Sequence, residues 1–354
     1  MQGQRTVFVG LSGGVDSSVA ALQVKNEGHN VVGAFIKIAQ SDIPGCTSAD
    51  DRVSAMRVAA RLKIPFKEID LSEAYRQKVI QHFIYKYKQG LTPNPDVFCN
   101  NEIKFKLFAS WAFSEGADCI ATGHYTQKCN SSNGVFLKRA KDLSKDQTYF
   151  LWGVRKSILA KVLFPIGHLL KEEVRTIARK NALHTSTRPD SQGLCFLGDV
   201  DVKEFLAKEL KPQKGSVSTT DGNSVGTHPG SVLFTIGERH GFKVDDAHNN
   251  GKPYYITAIN HHENLLIVSQ TPPSTISGTK LVLADCNWFL EPNQILLSGQ
   301  FRHLGSTTPV RIKKENGTYV CTVEKSTHSI ACGQSAVFFK DDLCIGGGIV
   351  ARIL

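Results

Sequence analysis

The run Gly10-Leu11-Ser12-Gly13-Gly14-Val15-Asp16-Ser17-Ser18 has the make-up of a phosphate grip. Glycines at 13 and 14 permit positive φ and leave no Cβ to hold a ligand away from the backbone. Successive N–H groups in such a turn form an anion cradle, and a helix starting behind it adds partial positive charge. Ser12, Ser17 and Ser18 supply hydroxyl donors, and Asp16 is suited to organise a metal or the helix start. The stretch lacks the lysine of Gly-x-x-x-x-Gly-Lys-Ser/Thr and the third glycine of the dinucleotide fingerprint, so it is neither of those loops. A second reactive stretch, Thr92-Pro93-Asn94-Pro95-Asp96-Val97-Phe98-Cys99-Asn100-Asn101, puts a thiol where a helix is expected to begin, and a helix dipole there favours thiolate.

The elements that must position these groups alternate. A buried strand over Thr6–Val9 leads into the glycine turn, and Ser17 onward reads as a helix ending near Gly28. Strands over Asn30–Lys37, Phe66–Ile69 and Cys119–Thr122 are separated by helices over Thr47–Leu62, Leu71–Tyr87 and from Cys99 or Asn100 through Trp111. Such alternation predicts a doubly wound parallel sheet, whose ligands sit at the carboxyl ends of the strands. A hairpin over Gln127–Arg139 and helices over Lys156–Val162 and Lys171–Asn181 follow. From about Val200 the chain turns to short strands and polar turns. The expected organisation is therefore an α/β domain over 1–200, a small β-rich domain over 201–272 and a terminal β-barrel over 273–354.

The chain has 354 residues, 41% of them hydrophobic, and a formal net charge of +10. That surplus favours a polyanionic partner, nucleic acid before anionic membrane. No apolar run approaches membrane-spanning length, and the chain runs straight into a core strand, leaving no signal peptide in view. Nine cysteines without a Cys-x-x-Cys point to a reducing, cytoplasmic setting with neither zinc site nor disulfide framework. Cys119, Cys286, Cys321, Cys332 and Cys344 read as buried, inert thiols.

Four stretches, in order and spacing, resemble the bacterial-type tRNA-uridine 2-sulfurtransferases of the PP-loop ATP pyrophosphatase superfamily. They are Ser12–Ser17, Asn94-Pro95-Asp96 with Cys99-Asn100, Lys145-Asp146-Gln147 and Gly193-Leu194-Cys195-Phe196. Ala121–Tyr125, Phe234–Gly237 and Gly346–Gly348 are similar to further family stretches. The resemblance implies ATP-dependent 2-thiolation of the wobble uridine of tRNA. The uracil 2-carbonyl oxygen is adenylated and sulfur arrives from a cysteine persulfide, with AMP and pyrophosphate released. By the same resemblance Cys195 carries the persulfide, Cys99 releases the sulfur by forming a disulfide with it, and Asp96 is a general acid/base. Gly10, Leu11, Ser12, Gly13, Gly14, Val15, Asp16, Ser17, Ile36 and Gly123 would surround ATP and its Mg²⁺. Asn94, Pro95, Asp96, His124, Lys145, Asp146, Gln147, Arg302, His303 and Gln334 would meet the tRNA. His303 stands where the family carries Tyr, and Ile36 where it carries Met. The implied partners are tRNA and a persulfide-donor protein. A nucleotide-sensing or RNA-binding relative would not need the intact Asp16, Cys99 and Cys195, and an amide- or citrulline-type ligase would need neither paired thiols nor a basic barrel.

Overall fold

The computed structural model describes residues 3–38, 48–131, 134–190, 201–248, 251–292 and 295–354. Its first layer is a parallel sheet of β1 (Thr6–Gly10), β2 (Asn30–Lys37), β3 (Phe66–Asp70), β4 (Cys119–Ala121) and one further short strand, Val162–Leu163. Both faces of the inner strands β1 and β2 are apolar along their middle, whereas β3 carries Lys67, Glu68 and Asp70. Phe8, Ala34 and Ile36 pack beneath the helical rods over 72–88 and 95–114, while Val7, Val9 and Phe35 pack beneath α1 (Val15–Asn26) and α2 (Ser48–Leu62). Burial of both faces is what a parallel sheet with flanking helices requires. The order β3-β2-β1-β4 reverses direction between β1 and β4, the switch point where such folds bind ligands. The Val162–Leu163 strand corrects the expected helix over Lys156–Val162. Helix covers only Lys156–Leu159, and Val162 instead pairs with Ile120 on the open sheet edge.

Two long rods depart from regular α geometry. The rod over 72–88 widens to a π-helix at Arg76–Ile80, and the rod over 95–114 does so over Cys99–Phe108. The hairpin β5 (Gln127–Ser131) and β6 (Gly134–Lys138) forms as expected but leaves the parallel sheet, because β6 pairs with the last strand of the chain.

A helix over Val202–Leu210, not read from the sequence, opens the second part. Asp201 caps it, accepting from Lys203 N at 2.7 Å and Glu204 N at 2.9 Å. A five-stranded sheet follows, including the hairpin Gly215–Thr219 with Ser224–His228 and the hairpin Tyr255–Asn260 with Leu265–Ser269. Beyond it, strands Lys280–Trp288, Leu296–Gln300, Thr308–Glu315, Thr318–Val323, Ser335–Lys340 and Leu343–Ile353 close into a barrel, the first pairing with the last. Leu281, Phe301, Ile312 and Phe338 fill its interior. Among the described residues no helix is long and apolar enough to cross a membrane.

Candidate nucleotide and thiol site

The glycine turn sits at the switch point. Gly13 has φ +77°, and Gly14 is the extended N-cap of α1 with no side chain to occupy the N–H groups behind it. The first turn of any helix leaves those N–H groups without intrahelical acceptors. A Cβ on Gly13 would come within 2.5 Å of the Asp51 carbonyl oxygen, so this glycine is required by packing against α2 as well as by its φ. Ser54 Oγ and Arg188 Nη1 donate to the Gly13 carbonyl at 2.8 and 2.9 Å, and Arg188 also pairs with Asp51. Ser17 Oγ accepts from Ser12 N at 3.1 Å and donates to Gly14 O. Ser18 is fully buried with its hydroxyl on Gly14 O at 2.7 Å, so the expected role for it as a phosphate donor is corrected to one inside the helix. Leu11, Val15 and Ile36 are buried, and Leu11 N continues the ladder to Ala34 O. A Cβ on Gly10 would stand 3.8 Å from the Phe108 ring of the 95–114 rod. On the other side, a Cβ on Gly123 would approach Ser17 N to 2.7 Å, which brings the end of β4 against the start of α1.

Asp16 corrects a second expectation, since the helix cap is Gly14. Both Asp16 oxygens accept from Lys171 Nζ at 2.8 Å, and Oδ1 also accepts from Tyr125 Oη. Burial, reinforced by Asp16, pushes the Tyr125 phenol far up and keeps it a donor. Lys171 reaches on to Asp190 Oδ1 at 2.9 Å, where Arg175 also donates at 2.7 Å, and Lys145 holds Asp190 Oδ2 at 2.8 Å. Burial alone would raise Asp190, but Lys145 and Lys171 outweigh it and hold the carboxyl at about 2.

Asn94 Oδ1 accepts from Asp96 N at 3.1 Å and Val97 N at 3.2 Å, and Pro95 occupies the first helical position. The helix therefore starts at Pro95, and Cys99 is not at its end as expected. It lies a turn inside, fully buried, at the point where the rod widens to π geometry. Such widenings often mark functional positions. Cys195 lies outside the described residues, so the expected Cys99–Cys195 pairing has no geometry here.

Of the residues expected to meet tRNA, Lys145 is partly exposed, while Asp146 faces inward. Asp146 bonds Arg139 Nη1 at 2.9 Å, Ala140 N at 3.0 Å and Thr148 Oγ1 at 2.7 Å. Gln147 Oε1 accepts from Tyr125 N, and Gln147 N donates to Tyr125 O. His124 is buried against Phe105 and Phe164 with Nδ1 at 2.8 Å from Thr122 Oγ1, and burial drives its pKa well down, leaving it neutral. His303 lies tilted against Phe150, 4.2 Å between ring centroids, so its ring is held from within. Arg302 donates to Ser329 O, and Gln334 is buried with Oε1 on Ala331 N. Two groups result. The glycine turn, Gly123 and the Asp16–Lys171–Asp190–Lys145 chain form one, and Asn94 with the barrel-facing residues forms the other.

A family model described as "tRNA methyl transferase HUP domain" matches residues 5–199. Models described as "tRNA methyl transferase PRC-barrel domain" and "Aminomethyltransferase beta-barrel domain" match residues 203–270 and 278–350. The tRNA-specific 2-thiouridylase MnmA of Oceanobacillus iheyensis is 40% identical over 358 residues, covering 98% of this chain and 95% of that one. Those of Geobacillus kaustophilus and Listeria monocytogenes are each 39% identical, covering 99% and 98% of this chain and 96% and 95% of theirs. The chain belongs to the tRNA-specific 2-thiouridylase family.

In this 2-thiouridylase, reading the sequence alone missed Lys171, Arg175, Arg188 and Asp51. Arg188-Pro189-Asp190 directly precedes the Ser191–Phe196 stretch, which was the available signal, but the partners of Asp190 lie far apart in the chain. In this arrangement both oxygens of Asp16 are engaged by Lys171. Among the described residues no three His, Cys, Asp or Glu side chains gather to hold a metal. Of the thiols expected to be inert, Cys119, Cys321 and Cys344 are buried, whereas Cys286 and Cys332 are half-buried. Burial pushes Cys286 and Cys344 up to about 12 and raises Cys332, so all three stay protonated near neutrality.

Proposed function

We propose that this protein is an ATP-dependent tRNA-uridine 2-sulfurtransferase acting on the wobble uridine. The observation that carries the reading is the full-length match to tRNA-specific 2-thiouridylases, combined with the presence of Asp16, Asp96, Cys99 and Cys195 in one chain. The glycine turn and the free end of α1 suit the ATP phosphates. Any Mg²⁺ enters with those phosphates, which commonly provide its ligands alongside water. A uracil 2-carbonyl oxygen leaves poorly, and AMP transfer onto it converts it to a good leaving group. The terminal sulfur of a Cys195 persulfide attacks that ring carbon and AMP departs with the oxygen. Cys99 then attacks the inner sulfur of Cys195, forming a disulfide and leaving sulfur on the base. Two thiols are oxidised as the transferred sulfur is reduced, so the electrons balance. A cellular dithiol reductant then restores the thiols, and a persulfide-donor protein reloads Cys195. Asp96 moves protons at the base, which must be splayed from the anticodon loop to be reached. The division into 1–200 for catalysis, 201–272 as a central unit and 273–354 as a tRNA-binding barrel belongs to this same proposal.

Single-turnover assays with a labelled persulfide donor test it. Cys195→Ser should take no label and thiolate nothing. Cys99→Ser should take label and fail to turn over, and wild type should yield a reducible 99–195 bridge on peptide mapping. Normal thiolation by Cys99→Ser without that bridge would refute the two-thiol route.

A further inference from the structure

The segment just ahead of Asp96 and Cys99 is held from outside its own domain. Thr92 N donates to the barrel's Cys332 O at 2.9 Å, and Thr92 Oγ1 lies 3.1 Å from Thr235 Oγ1 of the central part. Gly333 of the barrel, at φ +90°, presses so closely that a Cβ there would stand 2.7 Å from Thr92 N. Two residues on, Asn94 caps the Pro95 helix through Oδ1, and further along the same rod Asn100 Nδ2 donates to Phe150 O at 3.3 Å, next in the chain to the Tyr149 phenol. That phenol shares its one proton between two barrel carbonyls, Phe301 O at 3.2 Å and Ser335 O at 3.0 Å, and is itself almost fully buried. The backbone and hydroxyl of Thr92 and the amide of Asn100 are thus each tied to a different neighbour. The helix carrying Asp96 and Cys99 cannot shift without breaking one of these ties.

We infer that Thr92 and Tyr149 are positioning residues, through which the central sheet and the barrel set the placement of Asp96 and Cys99. What Asp96 and Cys99 do rests on the reading above, but the coupling itself is a matter of geometry.

The test uses full-length Tyr149→Phe and Thr92→Val, which delete hydroxyls and keep volume. Tyr319→Phe is the control, since it loses an equivalent hydroxyl bond to Glu291 Oε1 at 2.6 Å, away from the junction. Iodoacetamide labelling of Cys99 is followed by peptide mass spectrometry, with buried Cys321 and Cys344 as internal references. Tyr149→Phe should speed Cys99 labelling selectively, and kcat should fall about 10- to 100-fold, as expected of a displacement near 1 Å. The KM for ATP should stay within about twofold, because the glycine turn is untouched. Thr92→Val should act in the same direction. Labelling and kcat within about twofold of wild type in both variants would overturn the inference, as would a rise shared equally by Cys321 and Cys344. Full thiolation by Cys99→Ser would instead sink the two-thiol route and leave the labelling result standing.

Discussion

At Gly13 a single hydrogen separates a working cradle from a collision with Asp51 O at 2.5 Å. Gly13→Val should therefore abolish ATP binding by calorimetric titration, by distorting the turn against α2. Ser18→Ala should leave affinity near that of wild type, since its hydroxyl is spent on Gly14 O. Asp190 carries a pH signature. Its carboxyl is held at about 2, below the 3.8 it would have when unfolded. The stabilisation is therefore present above pH ~4 and lost as pH falls through ~2, and it amounts to roughly 2 kcal/mol. Acid unfolding followed by circular dichroism should show Asp190→Asn less stable than wild type at pH 6, with the two curves converging by pH ~2.

At the scale of elements, Asn94 decides where the helix carrying Asp96 and Cys99 begins. Asn94→Ala should remove about 1 kcal/mol of stability in urea unfolding, the usual worth of such a cap. Much of this level was readable in the sequence. The strands β1, β2 and β4 announce themselves through continuous apolar runs, and Ser12-Gly13-Gly14 marks the turn that follows β1. The misses have physical causes. Pro95 at the first helical position, with Asn94 before it, moves the helix start ahead of Cys99, so local capping outweighed the prolines' look of a loop. Val162–Leu163 is strand only because the edge of β4 offers it partners, which no local pattern encodes. Asp201 with Glu204 did carry a helix-start signal that the polar surroundings obscured. The Lys171 and Arg188 contacts join residues more than 150 positions from the glycine turn, and spacing cannot reveal them.

Across the whole molecule, the barrel is not an appendage. Strand β6 pairs with Leu343–Cys344, and Arg139 stacks 3.6 Å from the Phe339 ring centroid while its guanidinium bonds Asp146 and Gln300. Deleting residues 273–354 would expose those surfaces, so substitution is the cleaner probe of RNA binding. Association with tRNA should weaken with salt at a slope of about −0.7 to −0.9 per phosphate neutralised, and Lys145→Gln should reduce that slope by about one. Filter binding across salt concentrations reads both. The central claim is the reaction itself. Purified full-length protein, given ATP, Mg²⁺, a persulfide donor and unmodified tRNA with a wobble uridine, should yield 2-thiouridine on nucleoside mass spectrometry, with one AMP and one pyrophosphate per sulfur. ADP and phosphate in their place, or tRNA left without 2-thiouridine while ATP is consumed, would contradict the account.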